Sequence, residues 1–373
     1  MENVSHTLAG FALARGGLGK TTPLATTALV GGANLPDIDL AWSSFRSALV
    51  YDHYHRGWTH SILGFLVLTS LWWLTLLAVD RWLLSGRTAD RTSPGSLLLA
   101  AALGIGSHIL MDGANSYGIR PFLPWSDRWA YGDLWVVVDP WLWLILGATV
   151  YLTREGGRRR NLAWIVGASA AAIVVLTAPV VPVSCRLAWA GGLAVTIAIC
   201  GAARGQWRGP LTANMGVALF VLYAGLCAAS HHAAQARIAR MATALPGGTS
   251  RQVATLPHPG DPLRWEWIIA DASSVRHGVI GALPFFDLAG ASGAVLARNL
   301  DAPAVEALLK TCAGEVVSEF FRFPFATIEE GPDGGRDVVV RDARYTRQGR
   351  GFAVYSARLG ADGRPIINRD ECP

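Results

Sequence analysis

The chain is poor in charge and almost free of lysine. Charged residues fill 16% of its 373 positions, against roughly 25% in an ordinary soluble domain. Lys20 and Lys310 are the two lysines among 32 basic residues. Hydrophobic residues instead reach 51%, tryptophan occurs 15 times, and mean hydropathy is +0.32. That balance points to a membrane protein with some soluble mass attached. The net charge of +5 comes from arginines in short loops between apolar runs. No continuous basic stripe with interleaved aromatics occurs, so a nucleic-acid partner is not expected. No C-x-x-C pair occurs among the five cysteines. Cys185, Cys200 and Cys227 lie in or beside apolar runs and read as packing residues. Cys312 and Cys372 could pair if the C-terminal region faces an oxidising compartment. The start, "MENVSHTLAGFALARGG", lacks the basic n-region of a secretory signal. "GGLGK" (16–20) lacks P-loop spacing, and no G-x-S-x-G elbow is present, so neither nucleotide binding nor a serine nucleophile is expected.

What is present is a series of apolar runs near the length needed to cross a bilayer, about 17–25 residues. They fall at 61–79, 96–113, 134–152, 162–182, 187–203 and 211–230, after two shorter runs at 5–15 and 22–36. The expected fold is mainly α: a polytopic bundle of 6–8 transmembrane helices with a small C-terminal α+β soluble domain. The expected domains are 1–153, rich in His and Asp, then further transmembrane helices over 154–234, then the soluble domain over 235–373. "LPGGTSRQVATLPHPGDP" reads as a linker. "LRWEWIIAD" reads as a strand, and "DAPAVEALLKTCAGEVVSEFFRF" as one amphipathic helix with Asp301 as N-cap. "FATIEEGPDGGRDVVVRDARY" and "GFAVYSARLGADGRPIINRD" read as two hairpins.

The arginine distribution predicts an orientation. With the eight runs crossing in turn, one set of loops holds Arg15, Lys20, Arg81, Arg87, Arg91, Arg154, Arg158, Arg159, Arg160, Arg204 and Arg208. The opposite set holds Arg46, Arg56, Arg120, Arg128 and Arg186. The positive-inside rule puts the first set in the cytoplasm, and the second set and the C-terminal domain outside.

Polar residues gather at one end of these runs. His6 begins the first; Asp37 and Asp39, in "NLPDIDLAW", follow the second; His60 begins the third. His108 and Asp112, in "GSHILMDGANSYG", end the fourth, and Asp133 and Asp139 begin the fifth. An up-and-down arrangement brings all of them to one face. The i, i+4 spacing of His108 and Asp112 sends both side chains from one helix face. Imidazole with carboxylate suits Zn²⁺ first, with Mn²⁺ or Fe²⁺ as alternatives. Ionisable groups in spans are costly and mark function, although a lone His at a helix end is usually structural and Asp37, after Pro36, fits a turn. Arg56 could hold a substrate phosphate or carboxylate, or pair with an Asp. His53 and His55 could equally be solvated. "NSYG" (115–118) and "RPFLPWSDRW" (120–129) read as a wall or lid near the pocket, with Trp125 and Trp129 as interface anchors or substrate contacts. His231–His232 reads as a helix-end feature.

In order, "LPDID", "HRGWTHS", "HILMDGANSYGIRPFLPWSDRW" and "VVVDPWLW" resemble the YdjM/YbcI-type membrane-bound metal-dependent hydrolases, over residues 1 to about 150. The resemblance implies an inner-membrane hydrolase. It implies a metal set of His6, Asp37, His60, His108 and Asp112, with Asp39 as ligand or base and Asp139 in support. A looser similarity to zinc-dependent phospholipase C proteins implies a lipid phosphoester substrate. The expectation is therefore a divalent-metal hydrolase of an ester or phosphoester, with Asp39 as general base and Arg56 beside it, acting at the membrane lipids. The competing expectations are an ion- or proton-coupled transporter and a non-catalytic scaffold with a structural metal and an unknown protein partner for the C-terminal domain. Against transport, no inverted repeat is visible.

Overall fold

The computed structural model describes residues 1–43, 45, 47–84, 92–154, 158–202, 209–245, 251–287, 293–330, 335–348, 352–360 and 362–367. Arg46, Arg87, Arg91, Arg204, Arg208 and Cys372, all used in the sequence reading, lie outside these. In chain order the helices are α1 (Asn3–Arg15), α2 (Ala25–Gly32), α3 (Leu40–Ser43), α4 (Ala48–Tyr54), α5 (Ile62–Leu83), α6 (Pro94–Gly113), α7 (Pro140–Thr153), α8 (Arg158–Thr177), α9 (Val183–Ala202) and α10 (Pro210–Ala244). Strands β1 (Gln252–His258), β2 (Asp261–Ala270), β3 (Ser274–Gly281) and β4 (Ala294–Ala297) follow. Then come α11 (Pro303–Leu309), α12 (Cys312–Phe320), β5 (Pro324–Glu330), β6 (Arg336–Asp342), β7 (Val354–Leu359) and β8 (Pro365–Ile366).

The chain divides into two compact units. One holds Met1–Ile38, Arg56–Ala229 and Pro257–Pro262; the other holds Asp39–His55, Ser230–Leu256 and Leu263–Pro373. Helices α5, α6 and α10 are long and apolar enough to cross a membrane. At 1.5 Å per residue α5 is about 33 Å long, a fit to a hydrocarbon core of about 30 Å. Three shorter apolar helices accompany them, over Pro140–Thr153, Asn161–Thr177 and Val183–Ile199. The chain is a mainly helical membrane protein with three candidate spans among the described residues.

Local chemistry sets the helix starts. The Ser61 hydroxyl accepts from Gly64 N at 2.9 Å and caps α5. Ser93 caps α6 just ahead of Pro94. Asp139 caps α7, accepting from Trp141 N at 2.9 Å and Leu142 N at 3.2 Å. The apolar run at 134–152 therefore becomes helical only from Pro140: a residue before proline avoids the α region, and Asp139 takes the cap.

Small residues bring α1, α2 and α6 together. A Cβ at Gly104 of α6 would stand 2.5 Å from the Leu29 carbonyl oxygen of α2, and one at Gly10 of α1 would stand 2.9 Å from Val30 Cα. Buried Ala25, Ala28, Leu29, Leu97, Ala100 and Ala101 fill the α2–α6 seam. This close approach lets His6 of α1 reach His108 of α6.

The second unit holds two four-stranded sheets, ordered β1-β2-β3-β4 and β5-β6-β7-β8. The pairings from β2 to β4 and from β5 to β8 are antiparallel. Ala234, Ile238 and Ala242, one stripe of α10, pack with Trp265, Trp267 and Ile269 of β2. Helix α10 thus runs well beyond the apolar run at 211–230. His231 and His232 sit inside it, with His231 Nε2 3.0 Å from Thr255 O and its ring against Trp265. Residues 252–258, expected as linker, form β1. The single helix expected after Asp301 is two helices, because Thr311 caps a new start by accepting from Gly314 N at 3.1 Å. Ala302, not Asp301, is the N-cap of the first. Cys312 is disulfide-bonded, and Cys185 and Cys227 are free.

Gly104→Val should force α2 from α6 and destabilise the protein by about 1–3 kcal/mol. A lowered thermal midpoint of the solubilised full chain is the expected result.

Candidate metal centre

Four buried side chains from three segments meet in the first unit. Asp37 comes from the turn after α2, His60 from the turn before α5, and His108 and Asp112 from one face of α6. One ligand atom from each lies within 4.8 Å of all the others. His60 Nε2 stands 3.1 Å from His108 Nε2 and 3.1 Å from Asp112 Oδ2. Asp37 Oδ1 stands 3.4 Å from His108 Nε2 and 3.7 Å from His60 Nε2. His108 Nε2 and Asp112 Oδ2 are 3.5 Å apart. Ligand bonds of about 2.0–2.1 Å in a tetrahedron place donors about 3.3–3.4 Å from one another. The observed separations straddle that value.

The imidazoles are oriented as ligands. His108 Nδ1 lies 2.8 Å from the Ala33 carbonyl oxygen, an acceptor, so Nδ1 carries the proton and Nε2 turns a lone pair into the cluster. His60 Nδ1 lies 2.9 Å from Thr59 Oγ1. His6 stacks on His108 with ring centroids 3.7 Å apart. Neither ring nitrogen of His6 makes a hydrogen bond, and its Nε2 is 3.3 Å from Asp112 Oδ1. Two carboxylates and two imidazoles thus offer one donor atom each around one buried point, and a cation there would offset the cost of burying both carboxylates. The donor set fits a divalent ion.

Arg56 is part of this cluster. Its Nε is 3.1 Å from Asp112 Oδ2, its Nη1 donates to Asn115 Oδ1 at 2.9 Å, and its guanidinium lies 4.6 Å from the Tyr117 ring centre. The Met1 amino group also contacts Asp112. The Arg56 backbone is left-handed, with φ of 59°, a conformation costly for a non-glycine residue that clusters at functional sites. Asn115 Oδ1 also accepts from Tyr117 N at 2.8 Å and Gly118 N at 3.3 Å. It is therefore fixed before Arg56 reaches it.

Residues 1–183 match the YdjM inner membrane protein family. All of these site residues fall inside the match. A stretch of 167 residues is also 28% identical to the uncharacterised protein YfhP of Bacillus subtilis (strain 168), covering 42% of this chain and 47% of that protein. The chain thus spans about half the length of the curated relative it matches. No solved structure matches it significantly.

Other polar residues of the YdjM region are not part of this four-residue group. Asp139 spends Oδ1 on the α7 cap, and its Oδ2 accepts from Tyr223 OH at 3.0 Å; it is not among the four converging donors. Asp39 belongs to the second unit, where its Oδ1 lies 3.4 Å from His55 Nδ1. His53 Nδ1 lies 3.0 Å from Glu319 Oε2 in that unit. The 115–135 segment is a wall of aromatic rings, with Tyr117 edge-on to Trp129, Trp129 stacked on Tyr131 and Arg120 over Trp129. The Pro121 carbonyl accepts from Ile62 N at 2.9 Å and ties that wall to the start of α5. Trp125 stands exposed on it. Asn115 and Tyr117 carried no ligand signal in the sequence, although Asn115 lies only three residues after Asp112.

Asn115→Ala would strip Arg56 Nη1 and two backbone donors of their shared acceptor. A loss of about 1–3 kcal/mol is expected, read as a lowered unfolding midpoint. An unchanged midpoint would show that Asn115 does not hold Arg56.

Proposed function

We propose that this chain is a membrane-bound, divalent-metal-dependent hydrolase of an ester or phosphoester, with lipid headgroup esters as the substrate class. The observation that carries it is the convergence of Asp37, His60, His108 and Asp112, buried and spaced as donors to one ion. A divalent cation held there supplies Lewis-acid polarisation of the substrate oxygen and activation of water. His60 and His108 present neutral nitrogens. Asp37 and Asp112 supply the negative charge that offsets the ion. His6, stacked on His108, stands as a further donor. Arg56 holds Asp112 in position and limits the net charge of the pocket.

The neighbouring start of α5, a candidate span, supports a site near headgroup depth, and exposed Trp125 suits a membrane interface. The disulfide at Cys312 supports an extracytoplasmic C-terminal domain. The arginine-rich loops support the same orientation, within an inner-membrane bundle of six to eight crossings.

A second reading has its own observation. Four protein donors fill a tetrahedral shell, the mark of a structural zinc site, whereas they leave two positions of a six-fold shell open to water and substrate. Hydrolysis therefore fits Mn²⁺ or Fe²⁺ in this donor set better than zinc held by all four residues. A closed zinc shell would make the centre a staple for α2, α5 and α6.

Mildly purified protein should carry about one equivalent of metal or more, with His60→Ala and His108→Ala losing most of it. The wild type should hydrolyse at least one member of a lipid phosphoester panel, and a chelator should abolish turnover. Stoichiometric metal with no turnover, and a thermal midpoint that falls on chelation, would leave the structural reading. No retained metal in the wild type would remove both.

A further inference from the structure

The C-terminal domain has a hold on the loop that delivers Arg56. Residues 39–55 lie in the sequence between Asp37 and Arg56, two members of the buried cluster, yet they belong to the second compact unit. Within that unit α4 is seated on α12. His53 of α4 meets Glu319 of α12 at 3.0 Å, both half-buried. Asp52, its neighbour, is buried, and its Oδ1 has no hydrogen-bond partner. The charged groups facing Asp52 are Arg344 and Asp342, themselves a buried pair at 2.8 Å. Arg344 also donates to the Phe320 carbonyl at 2.8 Å, which ties that pair to the end of α12. The adjoining α3 (Leu40–Ser43) brings no titratable group. His55 and Asp39 join the two ends of the stretch. The YdjM match ends at residue 183, so a loop of the family region is gripped by a domain outside it.

We propose that the C-terminal domain is a positioning and regulatory module for the metal centre. Asp52 and Glu319 are positioning residues: by seating α4 on α12 they fix the backbone leading into left-handed Arg56, and through Arg56 the carboxylate of Asp112. The inference rests on the reading of the four-donor cluster as a cation site. Arg56 follows the gripped stretch without a spacer, so freeing α4 lets the strained residue relax. Its guanidinium then leaves Asp112, and the donor set loosens.

The seat is also sensitive to pH. Burial pushes the Asp52 carboxyl up to about 7, Arg344 pulls it down, and Asp342 pushes it up. The seated form thus keeps a proton that the released form gives up near the ordinary value of 3.8. Seating is tightest below that value, weakens as pH rises to about 7, and is flat above it.

The test is hydrogen exchange of the full chain in lipid nanodiscs, read over residues 48–60 and corrected for intrinsic rates, with Mn²⁺ affinity measured in parallel. Wild type should open this segment more often at pH 7.5 than at pH 5.5. Asp52→Asn, nearly isosteric, should remove that difference and protect the segment at the higher pH. Glu319→Ala should speed exchange over both 48–54 and 55–60 by roughly threefold and weaken Mn²⁺ binding, with Glu319→Gln restoring both and β1–β3 unchanged. Faster exchange over 48–54 alone, with unaltered 55–60 and unaltered Mn²⁺ affinity, would overturn positioning. A wild-type pH difference that persists in Asp52→Asn would overturn the pH sensitivity. If the wild type binds no Mn²⁺, the cluster is not an Mn²⁺ site, and exchange over 55–60 alone decides whether the loop is held.

Discussion

The crowding of imidazole and carboxylate groups in a buried pocket is the constraint on which this structure turns. His60 and His108 bring their Nε2 atoms within 3.1 Å of each other, with Asp112 equally close to His60, and none of the three is exposed. Groups of this kind do not gather out of water without a compensating charge. Arg56 compensates Asp112 in part. A shared cation relieves all of these contacts at once, and the surrounding architecture makes sense as the means of holding its ligands.

That means is close helix packing. Gly10 and Gly104 let the backbones of α1, α2 and α6 approach until His6 stacks on His108 and the Ala33 carbonyl at the end of α2 fixes the His108 tautomer. Helix α6 supplies two donors at i, i+4, and the turns flanking α2 and α5 supply one each. The left-handed Arg56 is the costly element, and the chain on its N-terminal side is where the C-terminal domain takes hold. The four-donor cluster and the second unit are thereby linked through covalent sequence.

Much of the centre was legible in the residues. His108 and Asp112 announce a common face by spacing alone, and the parity of the apolar runs brings Asp37 and His60 to the same end. What was not legible depended on competition between local and distant effects. Pro140 and the Asp139 cap delay α7 although the residues before it are apolar. Thr311 interrupts what reads as one amphipathic helix, because its hydroxyl offers the backbone an alternative partner. The supporting roles of Asn115 and Tyr117 arise only once α6 and its following turn are folded back on Arg56. The capture of 39–55 by α12 is a long-range contact that no periodicity encodes.

The central claim is that these four side chains bind one ion directly. X-ray absorption at the metal edge of the full chain, purified without chelator, tests this at the level of the bonds. The account predicts an inner shell of nitrogen and oxygen at about 2.0–2.2 Å with outer-shell scattering from two or three imidazoles, reduced in His108→Ala. A shell without imidazole scattering, or a spectrum identical in wild type and His108→Ala, would contradict it.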